Sequence, residues 1–414
     1  MERRIVITGM GVISSVGNNV NEFWDSIVSG KSGIDLVTHF DTTEFKTKMA
    51  GQVKNFDIEK YMSLKDARRL DRFCQFAIAA ADEAMECAGL PKDLSTVNPE
   101  RVGVNVSSGI GGLQTLEEQA ATLREKGPKR VSPFLIPMMI IDLGAGNISM
   151  RYGAKGPNFS IVSACASAAN AIGEAFWIIK RDDADIMITG GAEASITPVG
   201  FAGFCSMQAM STRNATPTTA SSPFDKNRDG FVMAEGAGVV ILEELEHAKK
   251  RGANILAEVV GYGASADAHH ITAPAPGATG AIQAVKSAIK RSGLSLSDIG
   301  YVNAHGTSTP LNDKQESIAY KAVFGDYVKT VNVSSTKGST GHGLGASGGI
   351  ETIVCVKAIN ESIVPPTINM VEQDPEIDIN VTPNVAVSKK IKAALNVNLG
   401  FGGHNAALII KKFE

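Results

Sequence analysis

Short β-branched and apolar runs alternate with longer stretches of helical periodicity along the whole chain. That alternation admits few architectures other than a layered α/β fold. Arg4–Thr8 reads as a strand, Asn21–Ser29 as a helix stopped by Gly30, and Ala67–Ala88 as a long helix stopped by Gly89. Val102–Val106, Ser160–Ser163 and Asp185–Thr189 read as buried strands, and Val239–Glu243 leads into a charged helix, Leu245–Arg251. The rhythm restarts with a strand from Ile255 to Val260, helix Ala281–Ser292, strand Tyr301–Asn303, helix Lys314–Val323 and strand Thr330–Val333. Helix Ile350–Asn360 and strands Leu395–Leu399 and Ala407–Ile410 complete it. The natural division falls at Gly252, giving halves 1–252 and 253–414 of similar rhythm.

At 414 residues the chain can bury a large core and form about two domain-sized units. With 40 Lys and Arg against 43 Asp and Glu, the net charge of −3 offers no global basic field for nucleic acid. An acidic partner must therefore find a local patch. Met1–Thr8 runs straight into a strand without a signal-peptide pattern. The most apolar stretch, Phe134–Ile141, is interrupted by Pro137 and is too short to span a bilayer. Five scattered cysteines, an odd number, argue for reduced thiols in a cytoplasmic compartment rather than a disulfide framework.

Several motifs fail on inspection. Asp225-Lys-Asn-Arg-Asp-Gly230 opens like a calcium loop, but its twelfth position is Gly236 where a bidentate Glu is required, so a structural turn is the better reading. Gly9-Met-Gly11 follows a strand as a dinucleotide fingerprint would, yet Ser14 stands at the third glycine's place. Gly30-Lys31-Ser32 resembles the end of a phosphate loop, with Asp25 where its first glycine belongs. His269 and His270 are adjacent and lack partners at zinc spacing, so no metal site is expected.

Cys165 survives this filter. It sits in Ser-Ala-Cys-Ala-Ser-Ala-Ala, where a β-branched run gives way to an Ala-rich helical pattern. Backbone N–H groups at a helix start favour negative charge, so this thiol is expected to ionise readily and act as a nucleophile. A lone cysteine is more often a small buried hydrophobe, but the small neighbours leave room for a bulky reactant. His305, in Asn-Ala-His-Gly-Thr-Ser-Thr, and His342, in Lys-Gly-Ser-Thr-Gly-His-Gly, stand among glycines and hydroxyls that suit a dry core poorly. One thiol and two imidazoles on separate strand ends point to a site assembled from distant parts of one fold.

Four segments, Ser-Ala-Cys165-Ala-Ser, Asn-Ala-His305-Gly-Thr-Ser-Thr, Lys337-Gly-Ser-Thr-Gly-His342 and Gly400-Phe401-Gly-Gly, resemble the signature blocks of β-ketoacyl-acyl-carrier-protein synthases. Pro223-Phe-Asp-Lys-Asn-Arg-Asp-Gly-Phe and Gly191-Ala-Glu are similar as well, and the likeness runs essentially end to end, strongest to the elongating type II enzymes. The resemblance implies a thiolase-like αβαβα fold of five layers made from two related halves, a homodimer, and no cofactor. It implies that Cys165 accepts an acyl group from acyl-carrier protein as a thioester. Malonyl-carrier protein then loses CO2, and the resulting enolate attacks that thioester. His305 and His342 would hydrogen-bond the enolate oxygen, a task that carboxylates would oppose. Backbone N–H groups of Cys165 and Phe401 would form the second oxyanion hole.

By the same resemblance Lys337, pairing with Glu351, gives electrostatic support and is not the proton-transfer group. Thr307 and Thr309, with Thr272, would hold the pantetheine arm, Phe401 would gate the pocket, and Ile110 would line the acyl chain's channel. The family's carrier partner is acidic, and Lys65, Arg68 and Arg69 form a local basic trio suited to dock it. The chain departs from the family's pattern at Gln208, Gly343, Ser347, Leu399 and His404. Gln208 stands where a basic residue is frequent, and Gly343 with Ser347 is expected to loosen the loop after His342. These departures touch chain-length preference and carrier contacts, not the reacting groups. A non-catalytic chain-length factor is opposed by the presence of all three reacting side chains. Thiolases and initiating synthases favour Asn or a second Cys where His stands here. A type II polyketide ketosynthase is separated only weakly from the fatty-acid enzyme.

Overall fold

The computed structural model describes residues 3–414. Nine strands form one mixed sheet: β1 (Ile5–Ile13), β2 (Val102–Ser107), β3 (Ile186–Glu193), β4 (Gly236–Glu244), β5 (Ala257–Ala266), β6 (Ile299–Asn303), β7 (Asn332–Ser334), β8 (Ala393–Gly400) and β9 (His404–Lys411). Their order across the sheet is β2-β3-β4-β1-β5-β9-β8-β6-β7. Both flanks are parallel (β2 with β3; β8, β6 and β7), while the centre is antiparallel. β1 and β5 join the flanks through only Ile5–Ile7 and Ala257–Val259, so the sheet can fold across that seam.

Five principal helices sort onto its faces: α1 (Arg72–Cys87), α2 (Ser167–Lys180), α3 (Thr279–Ser292), α4 (Pro310–Phe324) and α5 (Ser347–Glu361). One apolar core joins α1 to β2, β3 and β4 through Phe76, Ala80, Ile188 and Ile241. A second joins α3 and α4 to β6, β8 and β9 through Val285, Tyr320, Leu395 and Ile409. Between them α2 and α5 pack on both flanks through Ile172, Phe176, Ile353, Leu242 and Leu408. The layers are therefore helix, sheet, helix, sheet, helix, the thiolase-like order that the resemblance implies. α2 and α5 are hydrophobic almost all round because they lie between two sheet faces, as a fully enclosed helix must.

The helix expected over Ala67–Ala88 is broken. A separate turn, Leu64–Ala67, precedes α1, and Asp71 with extended backbone caps α1 by accepting from the Phe73 N–H. Ser160–Ser163 is not a strand: it runs beside β2, but side-chain oxygens of Ser160 and Ser107 replace the ladder. The strand expected from Ile255 to Val260 lies at Ala257–Ala266. Gly9 and Gly11 are strand residues; a Cβ on either would stand 2.1 Å from a carbonyl of α1, so the pair lets helix and strand touch. Helices Leu113–Lys126 and Leu143–Tyr152 lack a clear sequence signal, because the first buries only Thr115 and the second carries two glycines.

Candidate active site

The polypeptide makes a strained elbow at the nucleophile. Ala164 adopts a positive φ of 50° without being glycine, and a 3-10 turn, Ala164–Ala166, feeds Cys165 into the start of α2. The end of β8 passes directly behind it. A Cβ on Gly400 would lie 2.6 Å from the Ser163 carbonyl oxygen and 3.2 Å from the Cys165 nitrogen, so only glycine lets the Gly400–Gly403 loop reach the sulfur. The backbone N–H groups of Phe401 and Cys165 both face Sγ.

His342 Nε2 is 3.2 Å from Cys165 Sγ. Its backbone is stapled to residues 232–234, with His342 N–H donating to Val232 and Ala234 N–H donating to the His342 carbonyl. Its ring rests on the edge of Phe231 at 5.5 Å between centroids, and its Nδ1 is 3.1 Å from the Ser347 hydroxyl. The His305 ring stands across it at 5.2 Å and 85°. His305 follows β6, where the Glu316 carboxylate of α4 accepts the N–H groups of His305 and Gly306 at 2.6 and 2.8 Å. The buried Nδ1 of His305 has no hydrogen-bond partner among the described residues.

Electrostatics correct one expectation. Cys165 does not ionise readily at rest: burial pushes its thiol up to about 12, against the opposing pull of Lys337 and the facing N–H groups. A helix start offers an anion at most about 2 kcal/mol, which is less than this dry setting costs, at about 1.4 kcal/mol per tenfold. Burial likewise holds both imidazoles well below the usual histidine range, with Lys337 acting in the same direction. The resting trio is a neutral thiol and two neutral rings. Lys337, 1% exposed, is paired with Glu351, whose other oxygen accepts from Asn398 at 2.7 Å.

Cys165, His305, His342, Ile110, Thr272, Thr307, Thr309 and Phe401 line one cavity of about 490 Å3, together with Gln208. Thr307 and Thr309 hold their hydroxyls 2.9 Å apart, and the Phe401 ring tilts toward Phe204 at 6.5 Å. Lys337 and Glu351 lie outside this wall. Lys65, Arg68 and Arg69 also lie outside it, exposed and paired with no carboxylate among the described residues; Arg69 covers the Phe134 ring at 5.1 Å. Gly402 and Gly403 both take positive φ, and His404 is exposed behind them. The Asp225–Gly230 segment is a structural turn, its Asp225 carboxylate accepting backbone N–H groups of Asn227, Val371 and Glu372.

Sequence reading assigned no role to two carboxylates that hold this site. Glu316 fixes the His305 backbone, and burial pushes its carboxyl up to about 7. Glu193 accepts from Ser108, Ser195 and the N–H groups of Gly109 and Gly345, tying the Ile110 loop to the loop after His342. A signal for Glu316 was present, since Asp313, Glu316, Ser317 and Tyr320 put polar groups on one buried stripe of α4. Such a stripe needs partners.

Comparison with known proteins agrees with this geometry. Residues 2–248 match the family model "Beta-ketoacyl synthase, N-terminal domain" and residues 256–371 match "Beta-ketoacyl synthase, C-terminal domain". The chain is 51% identical over 412 residues to the 3-oxoacyl-[acyl-carrier-protein] synthase 2 of Staphylococcus aureus, covering 100% of this chain and 99% of that one. It is 47% identical over 413 residues to the protein of that name from Synechocystis, again covering 100% and 99%. A type II PKS ketosynthase solved with its acyl-carrier protein superposes at a TM-score of 0.92 with 34% identity, both chains fully covered. A beta-ketoacyl synthase from Burkholderia phymatum superposes at 0.93 with 32% identity, likewise over both whole chains. Thiol, paired imidazoles, five-layered frame and end-to-end likeness agree: this chain belongs to the beta-ketoacyl synthase family.

Proposed function

We propose that the protein elongates fatty acids by two carbons, condensing malonyl-acyl-carrier protein with an acyl group held on Cys165. The observation that carries this reading is the 3.2 Å contact between Cys165 Sγ and His342 Nε2, with the His305 ring beside it at the wall of a cavity large enough for an acyl arm. Because the thiol is neutral at rest, its proton passes to His342 Nε2 as Sγ attacks the incoming thioester. The N–H groups of Cys165 and Phe401 receive the oxyanion, and the departing pantetheine sulfur takes the proton back.

In the second half-reaction the malonyl carboxylate leaves as CO2 and charge moves onto the thioester oxygen. His305 and His342, both neutral and able to donate, stabilise that enolate while its carbon attacks the Cys165 thioester. The new carbon–carbon bond forms as the bond from that carbonyl carbon to Sγ breaks, and the thiolate takes a proton supplied by solvent. Lys337 supports the site through its ion pair with Glu351. Thr307, Thr309 and Thr272 hold the pantetheine arm, Ile110 borders the acyl chain, and Phe401 moves on its glycine neighbours as the acyl group enters. None of these steps needs a metal or cofactor.

The halves 1–252 and 253–414 would each supply part of the site, the first the nucleophile and the second both histidines and the gate. A homodimer is supported by the segment that covers the outer edge of β2, where Asn158 bridges Val104 and Phe159 and Val162 are 39% and 53% exposed. Five unbonded cysteines suit a reducing, cytoplasmic setting, and among the described residues no helix is long and apolar enough to cross a membrane. A polyketide ketosynthase is the second reading, favoured by the similarity to the type II PKS ketosynthase.

Turnover with malonyl-carrier protein and acyl-carrier primers of increasing length tests both. Single two-carbon extension supports the fatty-acid reading, and repeated unreduced extension supports the other. Mass spectrometry is expected to find the acyl adduct on Cys165, with Cys165→Ala folded but inactive. An adduct on Cys74, Cys87, Cys205 or Cys355 would overturn the assignment.

A further inference from the structure

Ser347 occupies the first position of α5, is 3% exposed, and holds its hydroxyl 3.1 Å from His342 Nδ1. That ring nitrogen has no other hydrogen-bond partner among the described residues. The other ring nitrogen faces the nucleophile, so whatever occupies Nδ1 decides what Nε2 can do. A proton on Nδ1 leaves Nε2 a lone pair; an empty Nδ1 puts the proton on Nε2.

The reaction proposed above asks both states of one ring. During acyl loading Nε2 must accept the Cys165 proton, and during condensation it must donate to the enolate oxygen. A backbone N–H at Nδ1 would support only the second state and a carbonyl only the first. A hydroxyl serves either by rotating about its C–O bond. That rotation moves only the hydrogen, and a cavity of about 10 Å3 bordered by Ser14, Ser15, Thr340, Gly343, Ser347 and Ile350 lies alongside the residue.

We infer that Ser347 is a positioning residue for His342, its hydroxyl accepting from or donating to Nδ1 so that one ring serves both half-reactions. This rests on the condensing mechanism proposed above. In loading, the Sγ–H bond breaks as Nε2 takes the proton, and the resulting imidazolium donates from Nδ1 to Ser347 Oγ. The Sγ–C bond then forms, the bond from that carbon to the pantetheine sulfur breaks, and that sulfur takes the proton from Nε2. Between the half-reactions the ring loses its Nδ1 proton to solvent and gains one on Nε2, so that in condensation the hydroxyl hydrogen points at Nδ1 and Nε2–H faces the enolate.

The test measures acyl loading of Cys165 and malonyl-carrier decarboxylation separately, by mass spectrometry and CO2 release. In Ser347→Ala both are expected to fall roughly tenfold, the scale of one buried hydrogen bond to a charged ring, with KM for both carrier substrates unchanged. Ser347→Thr, which restores a hydroxyl, is expected to recover most of each rate. Loss of only one half-reaction in a folded alanine variant would overturn the inference, as would unchanged rates or a threonine variant as slow as alanine. The parent enzyme assayed alongside separates the two claims, because absence of its turnover would sink the condensing mechanism itself.

Discussion

His342 and His305 stand together across one cavity, yet only His342 touches the sulfur. The two rings should therefore separate in mutants. His305→Ala is expected to slow malonyl decarboxylation by about 10²–10³-fold, the cost of losing one oxyanion donor, while acyl loading stays near the parent rate. His342→Ala is expected to lose both steps. Separate assays of loading and CO2 release decide it, and equal loss in both variants would refute the division. The pH profile follows from the same geometry. Desolvation lowers the folded-state pKa of both rings, so they stay neutral as the pH drops through the ordinary histidine value near 6.5. Decarboxylation should stay flat from about pH 8 to about pH 6; a fall centred near 6.5 would mean a solvent-accessible imidazole.

The elements place these residues by close backbone approach, and glycine marks where. Gly400→Ala puts a methyl carbon 2.6 Å from the Ser163 carbonyl oxygen, against backbone that cannot swing aside as a side chain could. Acyl loading is expected to fall on the order of 100-fold, the scale of a misplaced reacting group. KM for carrier substrates should stay unchanged, as loading and steady-state kinetics can check. Much of this was legible in the sequence, because the reacting residues sit in short segments whose glycines and hydroxyls advertise them. The alternation of runs likewise announced the layers. What stayed hidden depends on distant partners. Nothing near Asp71 reveals that its carboxylate caps α1 and also binds Thr115, splitting an apparently continuous helix. Likewise, Ser347 reads as a loosening substitution until its hydroxyl is seen against His342. The ready ionisation expected of Cys165 failed for a related reason: a helix start is visible in sequence, whereas the dryness around it is a property of the assembled layers.

At the scale of the molecule, three stacked cores fix the site where α2 and α5 both begin, leaving surface features to govern encounter. Lys65, Arg68 and Arg69 are exposed and free of acidic partners among the described residues, on a chain of net charge −3. Changing all three to Glu should raise KM for carrier-bound substrate about tenfold at low salt and leave kcat unchanged, with the gap to the parent closing as salt is added. Steady-state kinetics at two ionic strengths check this; an unchanged KM at low salt would rule out docking there. Deeper in, the ion pair between Lys337 and Glu351 has a further effect. With the Lys337 ammonium already committed, the described residues lining the chamber offer an arriving malonyl carboxylate no free counter-ion. Such an anion, stripped of water, would be least comfortable as a carboxylate. It would gain most by departing as an uncharged gas and leaving its electrons on an oxygen that two rings can reach.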